Sequence, residues 1–204
     1  MLFWRALRFP HAVRRGVYMS RMFVWCGATA AVGALLWAYK GLAILITGDQ
    51  PDHAFQIAPF FFGVSAITLV YSLIGELRRP KWLLLSLGWL AVIGGATAAF
   101  AHFAQNEDGL GDPAYLVNFL SIIILLFLIS GDVRRNRLLP KWSFTPTFLA
   151  WALVLQIPVG AAFEAIDERL LEIPLVVGSV GWAMLAVAVL SRPQPDATAR
   201  TGRT

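Results

Sequence analysis

Six long apolar stretches alternate with short polar segments along the chain. They cover residues 22–46, 54–74, 82–104, 115–130, 144–166 and 171–190. A helix needs about 20 mostly apolar residues to cross the hydrocarbon core of a bilayer. The stretches are continuous and do not alternate polar with apolar positions, which favours helices over barrel strands. The pattern therefore predicts an all-α membrane protein with six transmembrane helices.

The composition agrees with this pattern. Hydrophobic residues make up 58% of the 204 residues and charged residues 14%, against about 45–50% and about 25% in soluble domains. A soluble domain of this size must still cover itself with polar surface, so the composition argues against a water-soluble fold. Cys26 is the single cysteine, and no disulfide can form within the chain.

The basic and acidic residues are separated between alternate loops. Fifteen of the 17 Lys and Arg residues lie before stretch one, between stretches two and three, between four and five, or after six, whereas nine of the 12 acidic residues lie in the other loops or at the adjoining ends of the stretches. The basic side sums to +12 and the other side to −7. Cytoplasmic loops carry the excess of Lys and Arg. The sequence therefore predicts three antiparallel hairpins with both termini in the cytoplasm.

This topology divides the chain into a basic cytoplasmic segment (1–21), a six-helix bundle (22–190) and a disordered cytoplasmic tail (191–204). The first 18 residues have two interpretations, a helix lying in the interface or an extension that precedes a start at Met19. Trp25, Trp82 and Trp142 lie beside the basic segments, as is typical of anchors at anionic headgroups. We expect the lipid bilayer as the partner rather than nucleic acid. A second copy of the chain and another membrane protein remain open as partners.

Two predicted cytoplasmic turns, 73–82 and 131–142, both end in Pro-Lys-Trp. An ancestral repeat of two spans and ordinary hairpin chemistry both explain this likeness. Repeats of two spans would be parallel, unlike the inverted repeats of many transporters. Small residues recur at helical spacing and predict faces of close helix contact; they are Gly27, Ala31, Ala34, Gly95, Ala99, Gly178, Gly181 and Ala186.

Polar side chains inside a membrane are costly and are the first candidates for function. Six fall within the predicted helices, five of them in the half away from the cytoplasm and Gln156 near the middle. This distribution predicts an outward-facing polar pocket made by Lys40, Gln56, His102, Asn118, Gln156 and Glu164.

Four of the candidates also have a simpler interpretation. Lys40 either pairs with Glu164 or an anionic group, or extends its ammonium to the headgroups. Glu164 is alternatively an interfacial carboxylate. His102 either senses acid or is a hydrated interface residue. Gln156 either faces a pocket beside Pro158, whose ring frees a backbone carbonyl, or belongs to a packed kink.

No catalytic or metal signature accompanies these residues. The three histidines are not at ligand spacing, and the common nucleophile, phosphate-loop and dinucleotide motifs are absent. We predict no catalytic residue, metal or cofactor. The expected function is that of a non-enzymatic accessory or stress-related component of a bacterial cytoplasmic membrane. The alternatives are a small-solute or proton transporter and an outer-leaflet lipid-modifying enzyme.

The layout of three tandem hairpins, with basic inner turns and prolines at the outer turns, resembles the HdeD-type bacterial membrane proteins linked to acid stress. The likeness concerns layout only and implies no residue role. Separately, the stretch from Trp37-Ala38-Tyr39-Lys40-Gly41 to Ala58-Pro59 is similar to a segment of uncharacterised bacterial membrane proteins. This second likeness implies added weight for Lys40 and no activity.

Overall fold

The computed structural model describes residues 11–49, 51, 56–104, 110–139, 142–164, 166 and 168–192, with residues 11–20, 161, 163, 164, 168 and 171 described by their backbone alone. All regular elements in these ranges are helical. They are α1 (His11–Thr47), α2 (Ala58–Leu73), α3 (Lys81–Phe103), α4 (Asp112–Arg135), α5 (Thr145–Glu164), a short 3₁₀ helix, η1 (Glu168–Glu172), and α6 (Ile173–Leu190).

One α-helix thus corresponds to each apolar stretch. Four helices are long and apolar enough to cross a membrane: the Arg21–Thr47 part of α1, α3, α4 and α6. The apolar helix α2 and the apolar part of α5, Thr145–Gly160, are shorter. The 16 residues of α2 span about 24 Å, less than the roughly 30 Å of hydrocarbon in a bilayer.

Prolines and turn residues set the helix ends. Pro59, Pro113 and Pro174 lie in the first turns of α2, α4 and α6, where the missing N–H needs no partner. Gly48, at φ 79°, ends α1 and donates its N–H to Ile44 O over 2.8 Å. α4 ends beyond the predicted residue 130, at Arg135. Basic side chains in its last turn complement the negative end of the helix dipole.

The helices pack in a defined order. α1 lies against α2 and α6, α3 lies against α2 and α4, and α5 lies against α4 and α6. In the described part of the chain, α2 is the long helix without an exposed large hydrophobic side chain, whereas the other five each have several. α2 is therefore the inner helix of the bundle, and its neighbours separate it from the surroundings.

The centre of the bundle is aromatic. Phe62 on α2 stacks on Trp182 of α6 with ring centroids 4.3 Å apart, and Trp37 on α1 meets Phe62 edge to face at 4.7 Å. All three side chains are at most 5% exposed. Gly33 makes room for this cluster, because a Cβ there would lie 2.5 Å from the Phe62 ring.

The small-residue faces predicted from the sequence are confirmed where glycines define them. A Cβ on Gly27 would overlap the Leu190 side chain, one on Gly95 would lie 2.6 Å from the Pro59 carbonyl oxygen, and one on Gly181 would lie 2.9 Å from Leu149. These helices approach so closely because no side chain separates them, which is how helices associate where lipid gives no hydrophobic drive.

Candidate functional site

Asn118 is the predicted pocket residue whose surroundings are most completely defined. It is 3% exposed on α4. Its Nδ2 donates to Pro59 O of α2 over 3.0 Å and to Ala91 O of α3 over 2.6 Å. The two amide hydrogens therefore link α4 to α2 and to α3. Asn118 acts here as an interhelical clamp.

Glycines allow this clamp to close. A Cβ on Gly63 would lie 2.6 Å from Ala91 O, and one on Gly94 would lie 2.8 Å from the backbone nitrogen of Asn118. Because the backbones of these helices lie so close together, the acceptors Pro59 O and Ala91 O are within hydrogen-bond distance of the short Asn118 side chain. The two features depend on each other, because any larger residue at these positions would move the acceptors away from Asn118.

Gln156 is half-buried on α5 and lines a cavity of about 340 Å³ between α5 and α6. The rest of the lining is apolar and consists of Phe148, Trp151, Ala152, Leu155, Val159, Ile173, Pro174 and Val177. The side-chain oxygen Oε1 of Gln156 is buried without a hydrogen-bond partner in the described part of the chain. Pro158 follows within the same helix and removes one backbone donor, that to Val154 O.

Glu172 is a buried acid that the sequence did not single out. It ends η1 and directly precedes α6. Its side chain is 9% exposed, and its Oε2 has no hydrogen-bond partner among the described residues. Its position is fixed by backbone packing, since a Cβ on Gly41 of α1 would lie 3.3 Å from Glu172 O. The sequence placed this acid with the loop carboxylates.

A third buried polar atom without a described partner lies deeper on α6. It is Nε1 of Trp182, in the aromatic centre. Gly178, one helical turn earlier, lies between Trp37 and Gln156, because a Cβ there would be 3.3 Å from the Trp37 ring and 3.8 Å from Gln156 Oε1. Unpartnered polar atoms thus occur on η1, α5 and α6, from the start of α6 to the middle of the bundle. Two more, Thr145 Oγ1 and Arg192 Nη1, lie at the opposite end.

The other candidates lie at the same end of the bundle as Glu172. Lys40 is half-buried on α1, next to Gly41, which packs against Val176 of α6. Gln56 is half-buried in the turn before α2, and His102 is half-buried near the end of α3. Glu164 ends α5, and its side chain lies outside the described residues. Of the six candidates, Gln156 alone lines the described cavity.

Polar contacts at the opposite end connect the turns that follow α2, α4 and α6. Asp132 accepts the backbone N–H of Arg78 over 2.8 Å, and Asn136 Nδ2 donates to Glu76 O over 3.3 Å. Arg192, which follows α6, pairs with Glu76 Oε1 at 3.0 Å. The two turns that look alike in sequence therefore contact each other, and the pair Arg192–Glu76 joins them to α6.

The chemistry available in the described ranges is limited. They contain no group of three His, Cys, Asp or Glu side chains placed to hold a metal ion. Cys26 is buried, with its Sγ 3.5 Å from Ser65 Oγ. Comparison of the chain with protein families, with curated proteins and with solved structures finds no match. The case for function therefore rests on Gln156, Glu172 and the helices that bury them.

Proposed function

We propose that this chain is an integral protein of a bacterial cytoplasmic membrane that crosses the bilayer six times as three antiparallel hairpins, with both termini in the cytoplasm. The contact pairs support the antiparallel arrangement. Gly27 lies near Leu190 and Gly41 near Val176, while Gly63 lies near Ala91 and Gly95 near Pro59. The first two contacts join α1 to α6, and the other two join α2 to α3. In both pairs, a higher residue number on one helix contacts a lower residue number on the other, as in antiparallel helices.

The short helix α2 fits this topology because of where it lies. Its neighbours α1, α3 and α4 pack around it, so its ends need not match the thickness of the lipid around the bundle. A 3₁₀ turn at residues 56–57 also extends it at one end. A shorter crossing inside a bundle is compatible with water or protein at its ends.

Within this topology we assign the chain a non-enzymatic accessory role, with a polar pocket that faces outward. The observation that supports the pocket is that two side-chain oxygens, Gln156 Oε1 and Glu172 Oε2, are buried without a described hydrogen-bond partner. Buried polar groups are nearly always hydrogen-bonded, so water or a small polar ligand is needed to complete this region. Both residues approach α6 near its start, the end that the charge pattern places outside.

Thiol labelling in intact cells tests the pocket. In a Cys26→Ala background, we expect Gln156→Cys to react with a membrane-impermeant thiol reagent added outside. The adjacent Ile157→Cys is the control: Ile157 is 61% exposed and does not line the cavity, so lipid keeps a thiol there unreactive. A Gln156→Cys thiol that labels no faster than the Ile157→Cys thiol would contradict the pocket.

Transport of a small solute or of protons is the second candidate. Trp182 Nε1 and the carbonyl freed by Pro158 favour it, because they continue the unsatisfied polar groups beyond Gln156 toward the middle of the bundle. A transporter requires access from both sides, whereas an accessory protein requires it from one. Labelling of Gln156→Cys from the cytoplasmic side of inverted vesicles would favour transport, and its absence would favour the accessory role.

A further inference from the structure

Glu172 is a largely buried acid, and one of its carboxylate oxygens accepts no hydrogen bond from the described residues. Its side chain is nine-tenths buried, its Oε2 has no described partner, and it makes no side-chain capping bond to the first turn of α6 although it occupies the N-cap position. No ion pair of Glu172 occurs among the described residues. An ionised carboxylate in such a place is costly unless a cation or a proton accompanies it.

The charged and titratable groups around Glu172 come from three elements. Tyr115 of α4 faces it closely enough for the carboxylate charge to act on the phenol. On α1, Lys40 precedes Gly41, which touches the Glu172 backbone. Arg169, on η1 itself, lies against Gly48 at the end of α1, with Nη2 2.7 Å from where a Gly48 Cβ would be.

We infer that Glu172 is the ligand for a small monovalent cation that enters from the outer side. This inference rests on the proposed outward-facing pocket and adds the class of ligand. The two unpartnered oxygens of the region, Glu172 Oε2 and Gln156 Oε1, are both hydrogen-bond acceptors, which suit a cation and not an anion.

Charge favours a cation, and the number of ligands favours a monovalent one. The predicted outer side, loops and helix ends together, carries nine acidic and two basic residues, and a negative surface raises the local concentration of cations. Divalent ions such as Ca²⁺ take six to eight oxygen ligands, usually with several carboxylates. The described residues bring no such group of carboxylates to Glu172.

Carbodiimide protection tests the inference on the unmodified protein. Protein in neutral-lipid nanodiscs is treated with a hydrophobic carbodiimide in choline chloride, and modification of the Glu172 peptide is measured by mass spectrometry. Sodium, potassium or ammonium then replaces choline at constant ionic strength. We expect one of them to lower modification about tenfold at ten times its dissociation constant, because about one site in eleven is then empty.

Two variants make the result specific. Glu172→Gln should lose any rise in thermal midpoint that the protecting cation gives to the wild type, whereas Asp112→Asn, which removes an exposed acid at the same end, should keep it. Equal modification in all four salts, or an unchanged thermal response in Glu172→Gln, would overturn the cation site. Should Glu172→Gln fail to fold, the protection measurement decides alone. If Gln156→Cys is labelled from outside but carbodiimide modifies Glu172 equally in all four salts, the pocket is supported and only the cation site is refuted.

Discussion

The interhelical clamp at Asn118 gives the sharpest prediction for stability. Asn118→Leu keeps the branched shape and approximate size of the side chain and removes both N–H donors. The acceptors, Pro59 O and Ala91 O, belong to α2 and α3, so the substitution removes hydrogen bonds from two helix interfaces at once. Because the side chain is 3% exposed, water does not replace the lost donors.

The expected cost follows from the two bonds. Interhelical hydrogen bonds in membrane proteins average about 0.6 kcal/mol and reach about 1.7 kcal/mol each. Two bonds therefore give about 1–3 kcal/mol, since the shape of the side chain is kept and little cavity forms. Asn118→Asp should cost more than Asn118→Leu, because a carboxylate brings acceptors against two carbonyl oxygens and leaves a charge buried.

Denaturation in mixed micelles of a mild detergent and sodium dodecyl sulfate measures this cost, with tryptophan fluorescence as the signal. Ser121→Ala is the matched control, because Ser121 lies one turn further along α4 and is also buried. We expect it to stay within about 0.5 kcal/mol of the wild type. An Asn118→Leu variant as stable as Ser121→Ala would refute the clamp.

Three further predictions concern two packing contacts of the bundle and one ion pair. Gly63→Ala should lower the free energy of unfolding by about 1–3 kcal/mol, because its Cβ would lie 2.6 Å from a backbone carbonyl oxygen. Gly75→Ala is the control and should have little effect, because the space around Gly75 is open. Equal effects of the two substitutions would contradict the close contact at Gly63. Trp182→Ala should cost about 3–5 kcal/mol of unfolding free energy. Trp182→Phe should cost much less, because phenylalanine keeps the stack on Phe62 of α2 and removes a buried N–H without a described partner. Urea-gradient or thermal unfolding curves that rank the two variants the other way would refute this. Glu76→Gln should cost at most about 1 kcal/mol and lose its effect in high salt, because its pair with Arg192 is partly exposed.

The sequence predicted the helices well because their signal is local. Each apolar stretch is one helix, and the prolines that begin α2, α4 and α6 are visible in the sequence. Which face of each helix points inward was less predictable. Nearly all positions of α2 and α6 are apolar, so hydrophobicity does not separate a packed face from an exposed one. Only the small residues, glycine and alanine, marked the contact faces in advance.

The polar pocket stays a prediction, and the structure shows where its candidate residues lie. Gln156 lines the cavity between α5 and α6, and the sequence had marked it because Pro158 follows it. Asn118 was selected for the same reason, a polar group in a membrane, but its donors are used by α2 and α3. Asn118 is 59 positions from Pro59 and 27 positions from Ala91 in the chain. A local sequence pattern does not reveal contacts over such separations.

Glu172 shows the opposite error. In the sequence it is one of several acids around the start of the sixth apolar stretch, and acids at such stretch ends are usually solvated. Its burial arises because η1 packs against α1 at Gly41, a contact between residues far apart in the chain. The nearest signal in the sequence is that Glu172 stands directly before the Ile-Pro that opens α6. Position beside a helix start was too weak a signal to predict burial.

The topology is tested most directly by side-specific labelling of six single cysteines in a Cys26→Ala background, one in each connection and one after α6. The positions are exposed in the structure; they are Asp49, Gly75, Leu110, Asn136, Ile166 and Ser191. Six crossings predict that positions 49, 110 and 166 react with an impermeant reagent outside intact cells and that 75, 136 and 191 react only after permeabilisation. Two consecutive positions that label from the same side would show that the helix between them does not cross, and would contradict the account.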